Sequence, residues 1–577
     1  MSGQHEVLII DGYSDEPAGL GVPPYIDVYP RYIAGAIWAV NKSTNIVYLT
    51  VDEIRRNFEK FTKIYSRVKV AIFIAGVCVP GKYLSGDPIK PEELALWSKL
   101  SDKPLKILAG PVARFGLGTE GGKLMELPEK IKEGFDLIIK GDPELVIYRL
   151  FKEKLNIDAV DPCEIRDNYK LVDVFSRLGA RIIKQHPNYG LNLICEIETY
   201  RGCPRHITGG CSFCIEPLYR GVTYRNPSGI LREIKALYNQ GARSFRLGRQ
   251  PDFFAYQSFD KGVFEFPRPN PEAIENLLKG IRYCCEDLET LHIDNVNPGT
   301  VFHYEMESTK IVKAIIKYHT PGDVAAFGIE STDLRVIKLN NLKVMPEEAL
   351  EAIKIINRYG KMRGWNGLPH ILPGINFVYG LIGETKETYI LNYEFMKQVL
   401  SKGYVVRRIN IRQVLPIPGT RIWSQGTSII SRHKQYFKKY KTLMRKFIDM
   451  PMLRRVLPKG TILRSVYTEK YLGNKTLGRQ VGSYPILVVI PEKLPLGKKV
   501  DVIVISYGFR SVSGLPYPID INSASPKVVR LIPNIKKETI AKILKYRPFR
   551  DENDFKCKVG DTEILRYISF NANPIHR

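Results

Sequence analysis

The sequence predicts an α/β protein made of several domains. Three observations predict it. Strand-like runs alternate with charged helical segments over most of the chain, the pattern of parallel sheets with crossover helices. The 577 residues suffice for three to four domains at roughly 100–200 residues each. Hydrophobic content of 44% and charged content of 25% are ordinary globular values, which excludes a chain disordered throughout. Nine cysteines are too sparse for a disulfide scaffold. No run of about 18 apolar residues predicts a transmembrane helix. The segment from Met1 to Tyr13 carries an apolar run without a basic leader or a small-residue cleavage site. It reads as a buried first strand, so the expected compartment is the cytoplasm. Lys and Arg number 86 against 60 Asp and Glu, a formal net charge of +26. That excess favours a polyanion partner, nucleic acid first and an anionic membrane surface second. The plain alternative is a chain that is basic and nothing more.

In chain order, strands are expected at Val7–Asp11, Asn45–Val51, Val70–Ile74, Leu105–Leu108 and Leu137–Ile139. Helices such as Val51–Tyr65 and Pro91–Lys99 lie between them. Residues 1–188 are therefore read as a Rossmann-like, doubly wound domain, ending in a connector from Asp142 to Asn188. Residues 189–430 repeat the βα pattern six times. Strands are expected at Leu193–Tyr200, Ser244–Arg249, Thr290–Asn295, Val324–Glu330, Ile375–Gly380 and Arg408–Pro416. Six such units suit a partial (βα)6 barrel of the TIM type, with its site at the strand C-terminal ends.

Residues 431–460 are rich in Lys and Arg. Tyr436, Tyr440, Met444 and Phe447 recur there at helical spacing, so a basic amphipathic helix is expected. Residues 461–518 hold short β runs at Thr461–Tyr467, Ser483–Ile490 and Lys499–Tyr507. Gly and Pro punctuate them, which suggests a small β-barrel. Residues 519–577 return to short helices.

The sharpest feature is the segment from Arg201 to Cys214. Cys203, Cys211 and Cys214 stand in a C-x7-C-x2-C pattern just after a predicted strand. Three thiolates in one loop rich in Gly and Pro can wrap one metal centre. On a four-iron cluster they leave one iron open for a substrate or cofactor. A structural zinc site is the competing reading, with His206 or Cys195 as fourth ligand. A chance group of free cysteines is the third. Cys284 and Cys285 read as structural, and Cys78, Cys163 and Cys557 as packing residues.

With these cysteines, the region from Leu191 to Trp423 resembles the radical S-adenosylmethionine (SAM) superfamily. Cys211-Ser-Phe213-Cys214 matches the end of that family's cysteine motif. The first gap is four residues longer than usual, through Arg205–Gly210. Phe245-Arg-Leu-Gly248-Arg249-Gln250 ends the second strand, where the family holds the SAM amino group, and Gly248 lets a ligand approach the backbone. Gly328-Ile-Glu330-Ser331 resembles the ribose and carboxylate contact. Phe377–Gly380 with Gly383-Glu384-Thr385 resembles the fifth strand and its turn. Pro416-Ile-Pro418-Gly419-Thr420 resembles the loop that flanks the adenine. The resemblance implies a [4Fe–4S] cluster on Cys203, Cys211 and Cys214. It implies SAM beside Phe213, Gly248, Arg249, Glu330, Ser331, Pro418 and Gly419. It further implies reductive cleavage of SAM to a 5′-deoxyadenosyl radical, with a reductant protein as partner. No residue is assigned to direct the radical.

The N-terminal domain resembles the cobalamin-binding domain that precedes some radical SAM barrels. Asp11-Gly12-Tyr13 and Pro23–Gly35 are where such a site would lie. No D-x-H-x-x-G motif is present to supply a lower cobalt ligand, so cobalamin is left open without support. Residues 462–517 resemble a divergent TRAM barrel, a module of tRNA-modifying enzymes. Ile521 to Arg547 resembles a helix-hairpin-helix. Ser525 is expected to cap its first helix. Asn534 is expected to accept the left-handed turn in place of Gly, and Lys536 and Lys537 to contact phosphates. The expected function is a radical SAM enzyme that modifies nucleic acid, tRNA or another structured RNA. The alternatives are a radical SAM enzyme on a lipid or small molecule, and a non-catalytic nucleic-acid-binding protein with a structural metal.

Overall fold

The computed structural model describes residues 6–14, 21–77, 83–118, 125–570 and 575–576. Cys78 lies outside them. Among the described residues no helix is long and apolar enough to cross a membrane.

The first sheet is built from β1 (Val7–Asp11), β3 (Ile46–Thr50), β4 (Val70–Ile74), β5 (Leu105–Ala109) and β6 (Leu137–Ile138). Its order is β3-β1-β4-β5-β6, all parallel. This is the expected doubly wound arrangement. β1 and β4 are buried along their whole length, which is why they read as unbroken apolar runs. The expected helix Val51–Tyr65 is two helices, Val51–Arg56 and Phe58–Tyr65. Asn57 leaves the helical conformation between them and caps the second by accepting from the Lys60 amide.

The strand missing from that list, β2 (Tyr25–Ile26), belongs to a different sheet. It pairs in parallel with β7 (Ile194–Glu198). β7 continues to β10 (Ser244–Gly248) and β11 (Thr290–Ile293). A short hairpin of β8 (Tyr200–Arg201) and β9 (Thr223–Tyr224) follows β7. A second parallel sheet holds β12 (Asn295–Val296), β13 (Asp323–Glu330), β14 (Ile371–Tyr379) and β15 (Arg408–Gln413). Only Asp294 separates β11 from β12. The two sheets thus form one six-unit, open half-barrel, as expected. Ile26, Ile33 and Ile72 share one apolar core with Cys195, Phe245 and Leu291. The core therefore runs unbroken across residue 188.

The basic segment forms helices Ser428–Arg432, Lys434–Met444 and Met450–Val456, with a π-helical turn at Arg445–Asp449. Met444, Ile448 and Met452 are buried. Phe447, expected in the buried stripe, is 47% exposed. Pro451 has no N–H for an ordinary helical bond, and the wider turn that absorbs this shifts the register by one residue.

The small barrel has five strands: β16 (Ile462–Leu472), β17 (Lys475–Gln480), β18 (Leu487–Ile490), β19 (Lys499–Tyr507) and β20 (Ser511–Pro516). Its order is β16-β17-β18-β20-β19, and β19 closes onto β16. The sequence hid β17 and β20 because each carries a glycine. A Cβ at Gly514 would lie 2.2 Å from Val502, and one at Gly478 2.8 Å from the Tyr467 carbonyl. The expected strand Ser483–Ile490 is correspondingly shorter. Its first residues leave the barrel and dock into the half-barrel. The Ser483 amide donates to His292 at 2.8 Å, and the Tyr25 hydroxyl donates to the Gly482 carbonyl at 3.1 Å.

Beyond β21 (Ile519–Asp520), helices Pro526–Val529 and Lys537–Tyr546 flank a turn, and helix Glu552–Val559 follows. Ser525 caps the first by accepting from the Val528 amide. Asn534 takes the left-handed conformation at φ 61°. Both expectations hold. β22 (Ile568–Ser569) pairs with β21, and β23 (Ile575–His576) adds to β19.

Candidate functional site

The C-terminal ends of parallel strands share one mouth, and the cysteine loop crosses it. The hairpin of β8 and β9 brackets the loop. Gly202 has φ 85°, and a Cβ there would lie 1.8 Å from the Gly221 carbonyl. The long gap between Cys203 and Cys211 holds a tight 3-10 turn, Pro204–Thr208. That turn buries Arg205 to 2% exposure. Its Nη1 donates to the Cys211 sulfur at 3.1 Å, its Nε to Glu265 at 2.9 Å and its Nη2 to Asn341 at 3.2 Å. The long gap thus delivers a guanidinium to a thiol.

The far side of the loop is braced by the segment after β13 and by the loop after β15. The Ser212 hydroxyl donates to Asn340 Oδ1 at 2.7 Å. The Ile422 amide donates to the Ser212 carbonyl at 3.0 Å, and Arg421 donates to the Gly210 carbonyl at 2.7 Å. Phe213 packs with Cys211, Val336 and Leu381 in one apolar cluster. Cys203 and Cys211 are buried and Cys214 half-buried. Burial pushes the Cys203 thiol up to about 12 and the Cys214 thiol well above its ordinary value. The neighbouring thiols push the same way.

Lys343 completes the group. Burial works against its charge, and Cys211, Glu330 and Cys214 restore it, so its pKa lies above the ordinary value. Its Nζ donates to the Gly328 carbonyl at 3.3 Å and lies 3.7 Å from Glu330. A Cβ at Gly328 would lie 2.2 Å from that nitrogen. Glu330 ends β13 with φ 69°. Its Oε2 is buried without a partner. Burial raises its pKa to about 7 against the pull of Lys343. Ser331 is fully buried and accepts from the Asp333 amide at 3.2 Å. Pro418 and Gly419 are exposed. A Cβ at Gly419 would lie 3.5 Å from Leu218, just after the cysteines. These residues gather around one loop.

Gly248 and Arg249 end β10, and their own chain engages both. A Cβ at Gly248 would lie 1.8 Å from Glu196, so packing against that carboxylate accounts for the glycine. Ligand approach is not needed to explain it. The Arg249 guanidinium donates to Asp27 at 2.9 Å and to Tyr29 at 3.2 Å. Glu384 is likewise occupied. Tyr389 donates to it at 2.8 Å and His433 lies 3.0 Å away, while Thr385 caps the helix Lys386–Ser401. Cys195 packs in the core on β7, whereas Cys163 and Cys557 are exposed rather than packed. Lys536 and Lys537 are exposed beside the hairpin turn.

Sequence reasoning missed Arg205 and Lys343 as members of the site. Arg205 stood inside the unusual gap, which was the available signal. Among the described residues no three His, Cys, Asp or Glu side chains are close enough to hold a single metal ion. The donor chemistry nevertheless fits a cluster. Three thiols share one braced loop, two cations stand ready to offset thiolate charge, and an acceptor oxygen on Glu330 is unsatisfied. The cobalamin site does not fit as well. A Cβ at Gly12, beyond β1, would lie 2.4 Å from Ile89, so the chain packs tightly against that turn.

The chain is 46% identical over 511 residues to an uncharacterized protein of Methanocaldococcus jannaschii, covering 88% of this chain and 92% of that one. It is 40% identical to an uncharacterized protein of Archaeoglobus fulgidus, covering 98% and 99%. The chain belongs to this archaeal family. A tRNA-2-methylthio-N(6)-dimethylallyladenosine synthase of Hydrogenobaculum is 23% identical over 346 residues, covering 58% of this chain and 69% of that one. No family model matches. Solved structures similar to the chain include radical SAM enzymes. The cobalamin-dependent enzyme OxsB has a TM-score of 0.45 and 12% identity, covering 76% of this chain and 56% of that one. The methyltransferase TsrM of Kitasatospora setae has a TM-score of 0.41 and 13% identity, covering 72% and 75%.

Proposed function

We propose that the chain is a cytoplasmic radical SAM enzyme that modifies tRNA or another structured RNA. One observation carries this reading: Cys203, Cys211 and Cys214 share a braced loop beside Arg205, Lys343 and Glu330, where six parallel strands end. Bound there, a [4Fe–4S] cluster and SAM supply one-electron reductive cleavage of a sulfonium, with a reductant protein as the electron source. The chain's own residues do the rest. Arg205 and Lys343 offset the charge of the thiolates, whose neutral form burial otherwise favours. The free Glu330 oxygen accepts a hydrogen bond from a ligand amino or hydroxyl group. Phe213 shields the loop with apolar surface. The Pro418–Gly419 loop walls one side of the mouth. No step is routed through cobalamin.

The RNA assignment rests on the net charge of +26, the TRAM-like barrel, the exposed Lys536 and Lys537, and a distant relative whose name places it on tRNA. The test is anaerobic reconstitution, then dithionite and SAM, assayed for 5′-deoxyadenosine. About four irons per chain are expected. Wild type gives product, and the variant carrying Cys203→Ala, Cys211→Ala and Cys214→Ala gives none. Zinc in place of iron, with no product, overturns the reading.

A further inference from the structure

Five cations collect where the half-barrel, the basic helix and the small barrel meet. Arg407 precedes β15 and Arg408 begins it. Lys441 and Arg445 lie on the helix. Arg510 sits in the turn between β19 and β20. Fixed contacts hold Arg445, Arg407 and Arg408 in place, and Lys441 and Arg510 lie close enough to repel them. Arg445 donates to the Ile409 carbonyl at 2.9 Å. Arg407 donates to the Tyr484 carbonyl at 2.9 Å, and the Arg408 guanidinium lies 4.1 Å over the Tyr484 ring.

Their charge is poorly answered. Asp449 pairs with Arg445. Asp294 is already engaged by Arg246 and by the Tyr484 hydroxyl. Arg407 Nε is buried without a partner. Burial, with Arg408 and Arg510 beside it, pushes Arg407 down to about 9. Burial, with Arg445 and Arg408, pushes Arg510 down to about 10. Lys441 is lowered by burial, Arg445 and Arg510. Crowded cations of this kind are relieved by an anion.

Two further features say which anion. The cations come from three elements, so they suit several phosphates in a row rather than one. Two exposed aromatics neighbour them in sequence, Phe509 at 58% and Phe447 at 47% exposure. Guanidinium forks match phosphate oxygens, and exposed rings offer a face on which bases stack. We propose that this patch binds the phosphodiester backbone of an RNA strand and anchors it at the start of β15, on the open edge of the half-barrel and at the end away from the mouth. The proposal rests on the RNA reading above and gives that substrate a place.

Binding of the full chain to a labelled single-stranded RNA of about 12 nucleotides tests it by fluorescence anisotropy against salt. Arg510 lies in a solvent-facing turn, where crowding by the other cations partly desolvates its guanidinium, so Arg510→Glu is expected to leave the fold intact, which a thermal melt checks. Arg510→Glu should weaken binding about tenfold or more and flatten the log–log salt slope by about 0.7 or more. Phe509→Ala should weaken binding about fivefold or more without changing the slope. Wild-type affinity and slope in Arg510→Glu would overturn the proposal. So would lost binding to phosphatidylglycerol vesicles with RNA binding intact. The readout needs neither cluster nor SAM. Product formation with undiminished RNA binding in Arg510→Glu would remove the patch and leave the chemistry standing. Weakened RNA binding in a chain that holds no iron would do the reverse.

Discussion

Gly248 and Arg205 show how a single residue's reason can differ from its motif. Gly248 stands where a ligand-facing glycine is expected, yet Glu196 fills the space of its missing Cβ. Gly248→Ala forces that carboxylate aside, so about 1–3 kcal/mol of stability is expected to go, as overpacking costs. Urea unfolding of the two proteins checks this, and equal midpoints would mean that Glu196 is free to move. Arg205 sits behind the proposed cluster ligands. Removing it takes away the guanidinium that donates to the Cys211 sulfur, leaving Lys343 as its cation, and breaks the contacts to Glu265 and Asn341. Arg205→Gln is expected to lower cluster affinity about 10–100-fold, the usual effect of removing such support. Iron retained after gel filtration measures it. Retention equal to wild type would show that the brace alone holds the loop.

At the scale of elements, burial decides what pattern leaves ambiguous. The alternation of strands and helices was legible because continuous apolar runs such as Val70–Ile74 are buried on both faces. β17 and β20 were not legible, because their glycines read as turns until tight packing explained them. The end of β1 carries a testable consequence. Asp11 is 1% exposed, and burial raises its pKa to about 7 despite hydrogen bonds from Tyr48 and Tyr13. The folded state therefore holds that proton more tightly than the unfolded state. The stabilisation is complete below the ordinary value of 3.8 and is lost as pH rises toward about 7. Asp11→Asn keeps a neutral group there. The variant's melting temperature should gain on wild type between about pH 4 and pH 8. A constant difference across that range would contradict the sign.

At the scale of the molecule, the modules are interlocked. β2 pairs with β7, Arg249 reaches Asp27, and Arg166 bridges Glu144 to Glu198. The turn before β18 enters the half-barrel, where the Tyr484 hydroxyl meets Asp294 at 2.9 Å. A fragment ending at residue 188 would expose Ile26, Ile33 and other residues of the shared core. It is expected to stay unfolded or aggregate, as circular dichroism and gel filtration would report. A folded, monomeric fragment would show that the first sheet is self-sufficient.

The sequence by itself determined the chain order of the long core strands, the barrel class, the cysteine loop and the excess of positive charge. These follow from local periodicity, residue type and spacing, which any stretch of chain carries with it. Only the tertiary structure decided what surrounds the cysteines and where the charge collects. Arg205 lies far in the chain from Glu330 and Lys343, and they meet because parallel strands end at one mouth. Arg407, Arg445 and Arg510 meet because three modules pack on one edge. Such groupings depend on which surfaces bury one another, and no local pattern records that.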